Sequence, residues 1–169
     1  EHGRDSQAIV VCDSAELAEA IATEVERQAA TLERGAYIAE SLANSRAVVF
    51  SRREDMIAFA NEYAAEHLIV SMADAWAVVD NITAAGSIFV GNFSPESAGD
   101  YASGTNHTLP TSGWAHSCSG VNVDSFMRKM TIQELSSEGL KGLSSTIVAM
   151  AEAEGLEAHA NAVRVRMKE

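Results

Sequence analysis

The stretch HLIVSMADAWAVVDNITAAGSIFV, residues 67–90, contains two short apolar runs with a helical pattern between them. HLIVS at 67–71 and SIFV at 87–90 are rich in branched and aromatic residues, and each has the length of a buried strand. Asp74 precedes the run AWAVVDNI and is a residue type that caps helices. The stretch therefore predicts a strand, a helix and a second strand parallel to the first.

The same alternation continues toward the amino terminus. The predicted elements are a strand at 8–12, a helix opened by Asp13, Ser14 and Glu16 and running to about Arg34, a helix at about 36–42, a strand at 47–50 and a helix opened by the capping box Ser51-x-x-Glu54. Four strands that alternate with helices predict an α/β fold with a parallel sheet.

The pattern becomes helical after residue 121. The capping box Thr131-x-x-Glu134 predicts a long helix that ends near Glu154, and Gly155 separates it from a last helix at 156–169. The long segment carries apolar side chains that need a surface to cover: Ile132, Leu135, Leu140, Leu143, Ile147 and Met150. We therefore predict an α/β domain at 1–121 and a helical arm at 122–169 that packs on another chain.

Charge and composition argue against several classes of protein. Twelve Lys and Arg against 24 Asp and Glu give a formal charge of -12, which would repel nucleic-acid phosphates and anionic membrane surfaces. Cys12 and Cys118 lie far apart, so neither a disulfide scaffold nor a cysteine-type zinc module is predicted. No apolar run is long enough to span a membrane. We expect a cytoplasmic protein without nucleic-acid or membrane partners.

The polar run SPESAGDYASGTNHTLPT at 94–111 is the most informative segment for function. It holds Glu96, Asp100 and His107, is interrupted by glycines and is long for a connector in a compact domain. Solvated side chains in an ordinary surface loop would explain such a composition equally well. We predict an aperiodic loop that forms one wall of a cleft.

Glu66 and His67 lie at a junction between a predicted helix and a strand. A carboxylate beside an imidazole suits acid–base catalysis, although such pairs also occur as ordinary structural residues. The pair precedes its strand, whereas ligands of parallel α/β sheets usually gather at the carboxyl ends of strands.

The remaining histidines form no metal-binding pattern, because they are too dispersed for a spacing rule. By itself, His159 on the apolar face of a helix is typical of a core or interface residue. His116 and Cys118 are predicted to lie on the surface. No glycine-rich dinucleotide fingerprint follows the first strand.

Four stretches taken together resemble histidinol dehydrogenase, the enzyme of the last steps of histidine biosynthesis. They are EHGRDSQ (1–7), NEYAAEHL (61–68), GSIFVGNFSPESAGDYASGTNHTLPT (86–111) and EGLEAHANAVRVR (154–166). The resemblance covers essentially the whole chain but only the carboxyl-terminal portion of the family's length. Ala65 departs from the family pattern, which usually has proline there. The chain starts without an initiator methionine, and we expect it to begin inside a longer one.

The resemblance implies a fold and a reaction. The fold is an incomplete Rossmann-like parallel sheet flanked by helices, followed by a helical carboxyl-terminal arm. The reaction is the oxidation of L-histidinol to L-histidine through L-histidinal, with two NAD molecules reduced in succession and one zinc per site. Most of the NAD site would lie outside this chain.

The resemblance also implies roles for residues that match the family's motifs. His2, Asp100 and His159 would bind zinc, and the substrate would contact these three together with His67 and Glu154. His67 would also act as general base on the alcohol in the first hydride transfer. Glu66 would activate water for attack on the aldehyde, and His107 would be a further cleft residue.

In the family the arm crosses to a neighbouring subunit, so Glu154 and His159 would complete the partner's site in a homodimer. A fourth zinc ligand, a glutamine, would precede Glu1. We therefore predict that the isolated chain does not oxidise histidinol. Two alternatives remain: a non-catalytic module that binds zinc or an imidazole compound and dimerises through the arm, and a metal-dependent hydrolase in which Glu66 activates water.

Overall fold

The computed structural model describes residues 2–167 and has a mixed α/β fold. Its strands are β1 (Ile9–Cys12), β2 (Arg46–Val49), β3 (His67–Val70) and β4 (Ser87–Val90). Its helices are α1 (Ala15–Ala29), α2 (Gly35–Asn44), α3 (Arg53–Tyr63), α4 (Ala75–Val79), α5 (Glu96–Tyr101), α6 (Ser137–Ala153) and α7 (Glu157–Arg166), with two short 3₁₀ helices at Trp114–His116 and Val123–Phe126. Residues 168–169 of the predicted last helix lie outside the described residues.

All four predicted strands form, and they pair in parallel as expected. Within the described residues the hydrogen bonds join them as two separate pairs, β1 with β2 and β3 with β4. The second pair sets His67 opposite Ser87 and Val70 opposite Val90. A small apolar cluster of Val70, Ala75 and Val78 packs the helix α4 beside this pair.

Three predicted caps have different outcomes. Ser14 caps α1 as expected, because its hydroxyl accepts a hydrogen bond from the Leu17 amide at 3.1 Å. The box Ser51-x-x-Glu54 does not form: α3 begins at Arg53 without a side-chain cap. Glu54 instead faces the Arg52 guanidinium at 3.4 Å. Asp74 occupies the N-cap position of α4, but its side chain makes no cap hydrogen bond.

The predicted start of the long helix at Thr131 is also wrong. Residues 127–136 are irregular, and α6 begins at Ser137. Ser136 is the actual cap, since its hydroxyl accepts from the Gly139 amide at 3.0 Å. The helix is therefore capped by Ser136, five residues after Thr131, and the capping box at Thr131 does not form.

The prediction of an aperiodic segment at 94–111 is corrected by α5. Pro95 stands at the N-cap position and Glu96 in the first turn, where a negative charge interacts favourably with the helix dipole. The helix spans only six residues, which is too short for a periodic pattern to reveal.

The chain divides into two compact units, Glu1–Phe126 and Met127–Glu169. In the second unit, Gly155 adopts a φ of 72° between α6 and α7. The Leu156 amide donates to the Ala151 carbonyl at 2.7 Å, which closes the turn as the predicted glycine stop requires. The Rossmann-like and dimerisation roles of the two parts remain predictions. Among the described helices, none is both long and apolar enough to cross a membrane.

Candidate functional site

The Glu66–His67 pair is held in place by backbone contacts at the start of β3. The carbonyl of Glu66 accepts a hydrogen bond from the Ser87 amide at 2.9 Å. Gly86 lies so close that a Cβ there would meet the Glu66 carbonyl oxygen at 2.5 Å. Only glycine lets the two segments approach this closely, so the local sequence fixes where the His67 side chain leaves the strand.

The helix α5 brings two carboxylates to His67. Glu96 and Asp100 are four residues apart, which places both on one face of the helix. The Nε2 atom of His67 lies 3.7 Å from Glu96 Oε1 and 3.8 Å from Asp100 Oδ1. This nitrogen is buried and has no hydrogen-bond partner in the described part of the chain. A buried unpaired nitrogen facing two acids indicates a site that receives another polar group.

The geometry of the three side chains is compatible with a metal ion. One ligand atom each from His67, Glu96 and Asp100 lies within 4.8 Å of the other two. Burial raises the pKa of Glu96, and the neighbouring Asp100 raises it further by accepting a hydrogen bond and by its charge. His67 and His2 act in the opposite direction, toward a lower Glu96 pKa. The crowded carboxylates therefore favour a proton or another cation between them.

The pKa of Glu96 predicts how the metal-free protein responds to pH. A carboxyl whose pKa is raised on folding binds its proton more tightly when folded, so the resulting stabilisation is present at low pH and is lost as pH rises through the folded pKa. Glu96→Gln is neutral at every pH. We expect this variant to be more stable than the wild type above that pKa, with the difference vanishing as pH is lowered.

Urea unfolding of the metal-free chain over a series of pH values measures this effect. Glu62→Gln, an exposed change on α3, is the matched control and should leave the pH profile in place. A stability difference between Glu96→Gln and wild type that does not vary with pH would contradict the prediction.

The site lies at the amino end of β3, as the sequence position of the pair indicated. The helix α5 follows β4 in the chain and lies alongside the start of β3, which brings its carboxylates to that edge. The distance of 3.8 Å between Asp100 Oδ1 and His67 Nε2 shows this placement. The general expectation of a site at the carboxyl ends of parallel strands does not describe this cluster.

The other predicted residues lie in different surroundings. His2 is exposed, and it is near enough to Glu96 for its charge to act on that carboxyl. Glu66 is half-buried and His107 is exposed. In the second unit, Glu154 is the C-cap residue of α6 and His159 lies exposed on α7.

His116 and Cys118 are exposed, as predicted. The His116 Nε2 atom also lies 3.2 Å from the Glu62 carbonyl oxygen, so this side chain contacts the end of α3.

The segment that carries His2 is anchored to α2. The guanidinium of Arg4 lies over the Tyr37 ring, 4.8 Å from its centroid, and also pairs with Glu40. Asn44 donates to the Arg4 carbonyl at 3.2 Å. These contacts hold the segment against α2, and His2 is near enough to Glu96 for its charge to act there.

Two features of the site were missed from sequence. Glu96 belongs to the cluster as Asp100 does. The two residues are four apart in α5, so a prediction of that helix would have placed both carboxylates on one face. Phe89, in β4, stacks on His67 with ring centroids 5.9 Å apart. No sequence signal distinguishes this phenylalanine from other buried strand residues.

Comparisons of the sequence with a family model and with known proteins agree on one family. The family model described as histidinol dehydrogenase matches residues 1–167. Histidinol dehydrogenase of Bacteroides fragilis is 50% identical over 169 residues, which is 100% of this chain and 40% of the relative. That of Escherichia coli is 48% identical over 167 residues, 99% of this chain and 38% of the relative.

Structural comparison agrees with the sequence matches. The crystal structure of histidinol dehydrogenase from Elizabethkingia anophelis superposes with a TM-score of 0.91 at 47% identity, covering 99% of this chain and 39% of that one. This chain thus spans about two-fifths of the length of the relatives that it matches. The family match over nearly the full sequence and the likeness of fold show together that the chain belongs to the histidinol dehydrogenase family.

Proposed function

We propose that this chain is the carboxyl-terminal portion of a zinc- and NAD-dependent enzyme that oxidises L-histidinol to L-histidine through L-histidinal. The observation that carries the proposal is the buried, unpaired Nε2 of His67, which faces Glu96 and Asp100 at 3.7 and 3.8 Å. Membership of the histidinol dehydrogenase family supports the choice of substrate.

The residues present fit a zinc ion. The crowded carboxylates of Glu96 and Asp100, with the imidazole of His2 near Glu96, supply oxygen and nitrogen donors of the kind that bind zinc. Asp100 and His2 would hold zinc together with His159 of a second copy of the chain. When bound, the zinc would hold the amine and imidazole nitrogens of histidinol and so orient its alcohol carbon.

His67 is suited to remove the alcohol proton. In the first oxidation a hydride leaves the alcohol carbon for NAD, and the hydroxyl proton passes to a base, which yields the aldehyde. The Nε2 atom of His67 is free to accept that proton because it has no partner among the described residues. The nearby carboxylates would stabilise the imidazolium that forms.

Glu66 is suited to the second oxidation. It precedes His67 in the chain and is half-buried at the same strand end. As a carboxylate it would take a proton from water as the water adds to the bound aldehyde. The hydrate anion that forms loses a second hydride to NAD, and its remaining hydroxyl proton passes to solvent, which yields the carboxylate of histidine. Two NADH therefore form for each histidinol.

A homodimer with exchanged arms would complete the site. Residues 127–136 are irregular and expose large apolar side chains, with Met130 at 83% and Ile132 at 90% exposure. Such side chains are typical of a surface that another chain covers. The arm would then supply Glu154 and His159 to the partner's site, and Glu154 would contact the substrate.

The proposal is tested by measuring NADH formation with L-histidinol. We expect the full-length protein to form two NADH per histidinol in the presence of zinc and NAD. The 169-residue chain alone should form none, since the dinucleotide site would lie mostly in the part that precedes it. Absence of NADH with the full-length zinc protein would overturn the proposed function, and NADH from the short chain would overturn the predicted division of the site.

A double variant, Glu66→Gln with His67→Asn, separates an enzyme from a binding module. If the protein is an enzyme that uses this pair, the double variant loses turnover but retains zinc. A module that only binds zinc or an imidazole compound would keep its ligand in both forms and would show no NADH formation before the change. Turnover without NAD would instead indicate a hydrolase.

A further inference from the structure

Phe89 contacts both His67 and the helix that carries the carboxylates. Its side chain is 7% exposed, and its ring stacks on the imidazole of His67 with an angle of 27° between the planes. A stacked ring restricts the rotation of the imidazole and supports one orientation of it. Phe89 therefore supports the face of the imidazole on which it packs.

The same ring touches the backbone of α5 at Gly99. A Cβ at Gly99 would lie 2.6 Å from Cε1 and 3.0 Å from Cζ of Phe89, so the helix approaches the ring as closely as an unsubstituted Cα allows. The Thr105 hydroxyl also donates to the Gly99 carbonyl at 3.1 Å, which further fixes the end of the helix.

Glu96 and Asp100 flank this contact in the same helix, three residues before Gly99 and one residue after it. Because Phe89 contacts both the imidazole of His67 and the backbone of α5, the distance between the carboxylates and that imidazole depends on the ring. Catalytic constellations and metal ligands require such support, because displacements near 1 Å are costly.

We infer that Phe89 is a positioning residue that sets the spacing between the base His67 and the carboxylates of α5, with Gly99 as the residue that permits the contact. The inference deepens the proposed function and rests on it. The phenyl ring of Phe89 carries no group that could bind zinc or take up a proton. Its effect is on the orientation of His67 and on the place of Asp100.

Three variants of the full-length protein test the spacing. Gly99→Ala should push α5 away from the ring and weaken cobalt(II) binding by about 10- to 100-fold, the range found when support of metal ligands is lost. Phe89→Leu should lower kcat by about 10- to 100-fold, because the imidazole loses its stacked surface. Both quantities are measured for all variants, and for each quantity the double variant should be less impaired than the product of the two single effects. The alanine methyl can occupy the space of the lost ring, and only its contact with the Thr105 hydroxyl then remains.

Phe59→Leu is the matched control. Phe59 packs between Phe50 and Tyr63, with centroid distances of 5.5 and 6.0 Å, in an aromatic cluster of α3 and its surroundings. It should lose stability without a change in cobalt binding or in the cobalt(II) visible spectrum. That spectrum reports the ligand geometry independently of turnover.

The outcomes separate the inference from the proposed function. If the wild type forms NADH but Phe89→Leu behaves like Phe59→Leu in kcat and in cobalt binding, the inference is wrong. Independent, multiplying effects of Gly99→Ala and Phe89→Leu would also overturn it. If the wild type forms no NADH while the cobalt data still show coupling of the two positions, the proposed function fails and the spacing role stands.

Discussion

Replacing His67 by asparagine is expected to lower kcat for histidinol oxidation by about 10²- to 10⁴-fold, the usual loss when a positioned general base is removed. Asparagine has nearly the same reach and can still form hydrogen bonds, but it does not take up a proton at neutral pH. The buried Nε2 faces two carboxylates that would stabilise the charged imidazole, and this advantage disappears with the ring. Stopped-flow or steady-state NADH formation by the full-length protein measures the change.

The control for this variant is His116→Asn. His116 is exposed and contacts the Glu62 carbonyl at the end of α3. It should keep kcat within a few-fold of wild type. Zinc content measured on the same samples should be unchanged by His67→Asn. A His67→Asn protein with wild-type kcat, or one that fails only because its zinc is gone, would contradict the role of general base.

Local sequence patterns were sufficient to predict the strands of this fold. HLIVS and SIFV are apolar, branched and bounded by turn residues, so local preference and burial agree at β3 and β4. Pairing was predicted as one sheet, and the hydrogen bonds instead join two separate pairs. Which strands pair depends on contacts between segments distant in sequence, and a local pattern does not contain those contacts.

Helix starts were less predictable than strands. Several capping residues stand near each boundary, and the chain uses the one that its tertiary contacts allow. Ser14 caps α1 because it lies next to a strand end that fixes the entry of the chain. Thr131 stands in an irregular segment rich in exposed apolar residues, and Ser136 caps α6 instead.

The site shows the same division between local and long-range information. Glu66, His67 and Asp100 could be named from residue type and from the resemblance to the family. The short helix α5 could not, because Ser97 and Gly99 are unfavourable within a helix and six residues give no period. Without α5, the sequence does not show that Glu96 lies as close to His67 as Asp100 does. The stack of Phe89 on His67 arises from strand pairing and needed the structure.

Removing the Asp100 carboxylate is expected to cause the largest loss of metal binding. Asp100→Ala deletes one of the two crowded carboxylates, the oxygen donor that we propose for zinc. Changes to groups that only orient metal ligands cost about 10- to 100-fold in metal affinity, so the loss of a ligand should cost at least that much. Competition with a chromophoric chelator, followed in the full-length zinc protein, measures the affinity.

The stability of the metal-free form distinguishes this loss from unfolding. Burial raises the pKa of Glu96 most, and Asp100 raises it further by accepting its hydrogen bond and by its charge. When both carboxylates are ionised they therefore repel each other in the absence of a cation. Asp100→Ala removes this opposition, and we expect the metal-free variant to unfold at a denaturant concentration no lower than the wild type does. Sites built to bind a cation commonly carry such a cost to the empty protein.

Asp80→Ala provides the comparison, since Asp80 is an exposed acid at the end of α4 and outside the cluster. It should change neither zinc affinity nor the metal-free stability by more than a small amount. The decisive combination for Asp100→Ala is weaker zinc binding with undiminished metal-free stability. Wild-type zinc affinity in this variant would remove Asp100 from the metal site, whereas a parallel fall in metal-free stability would make its role a structural one.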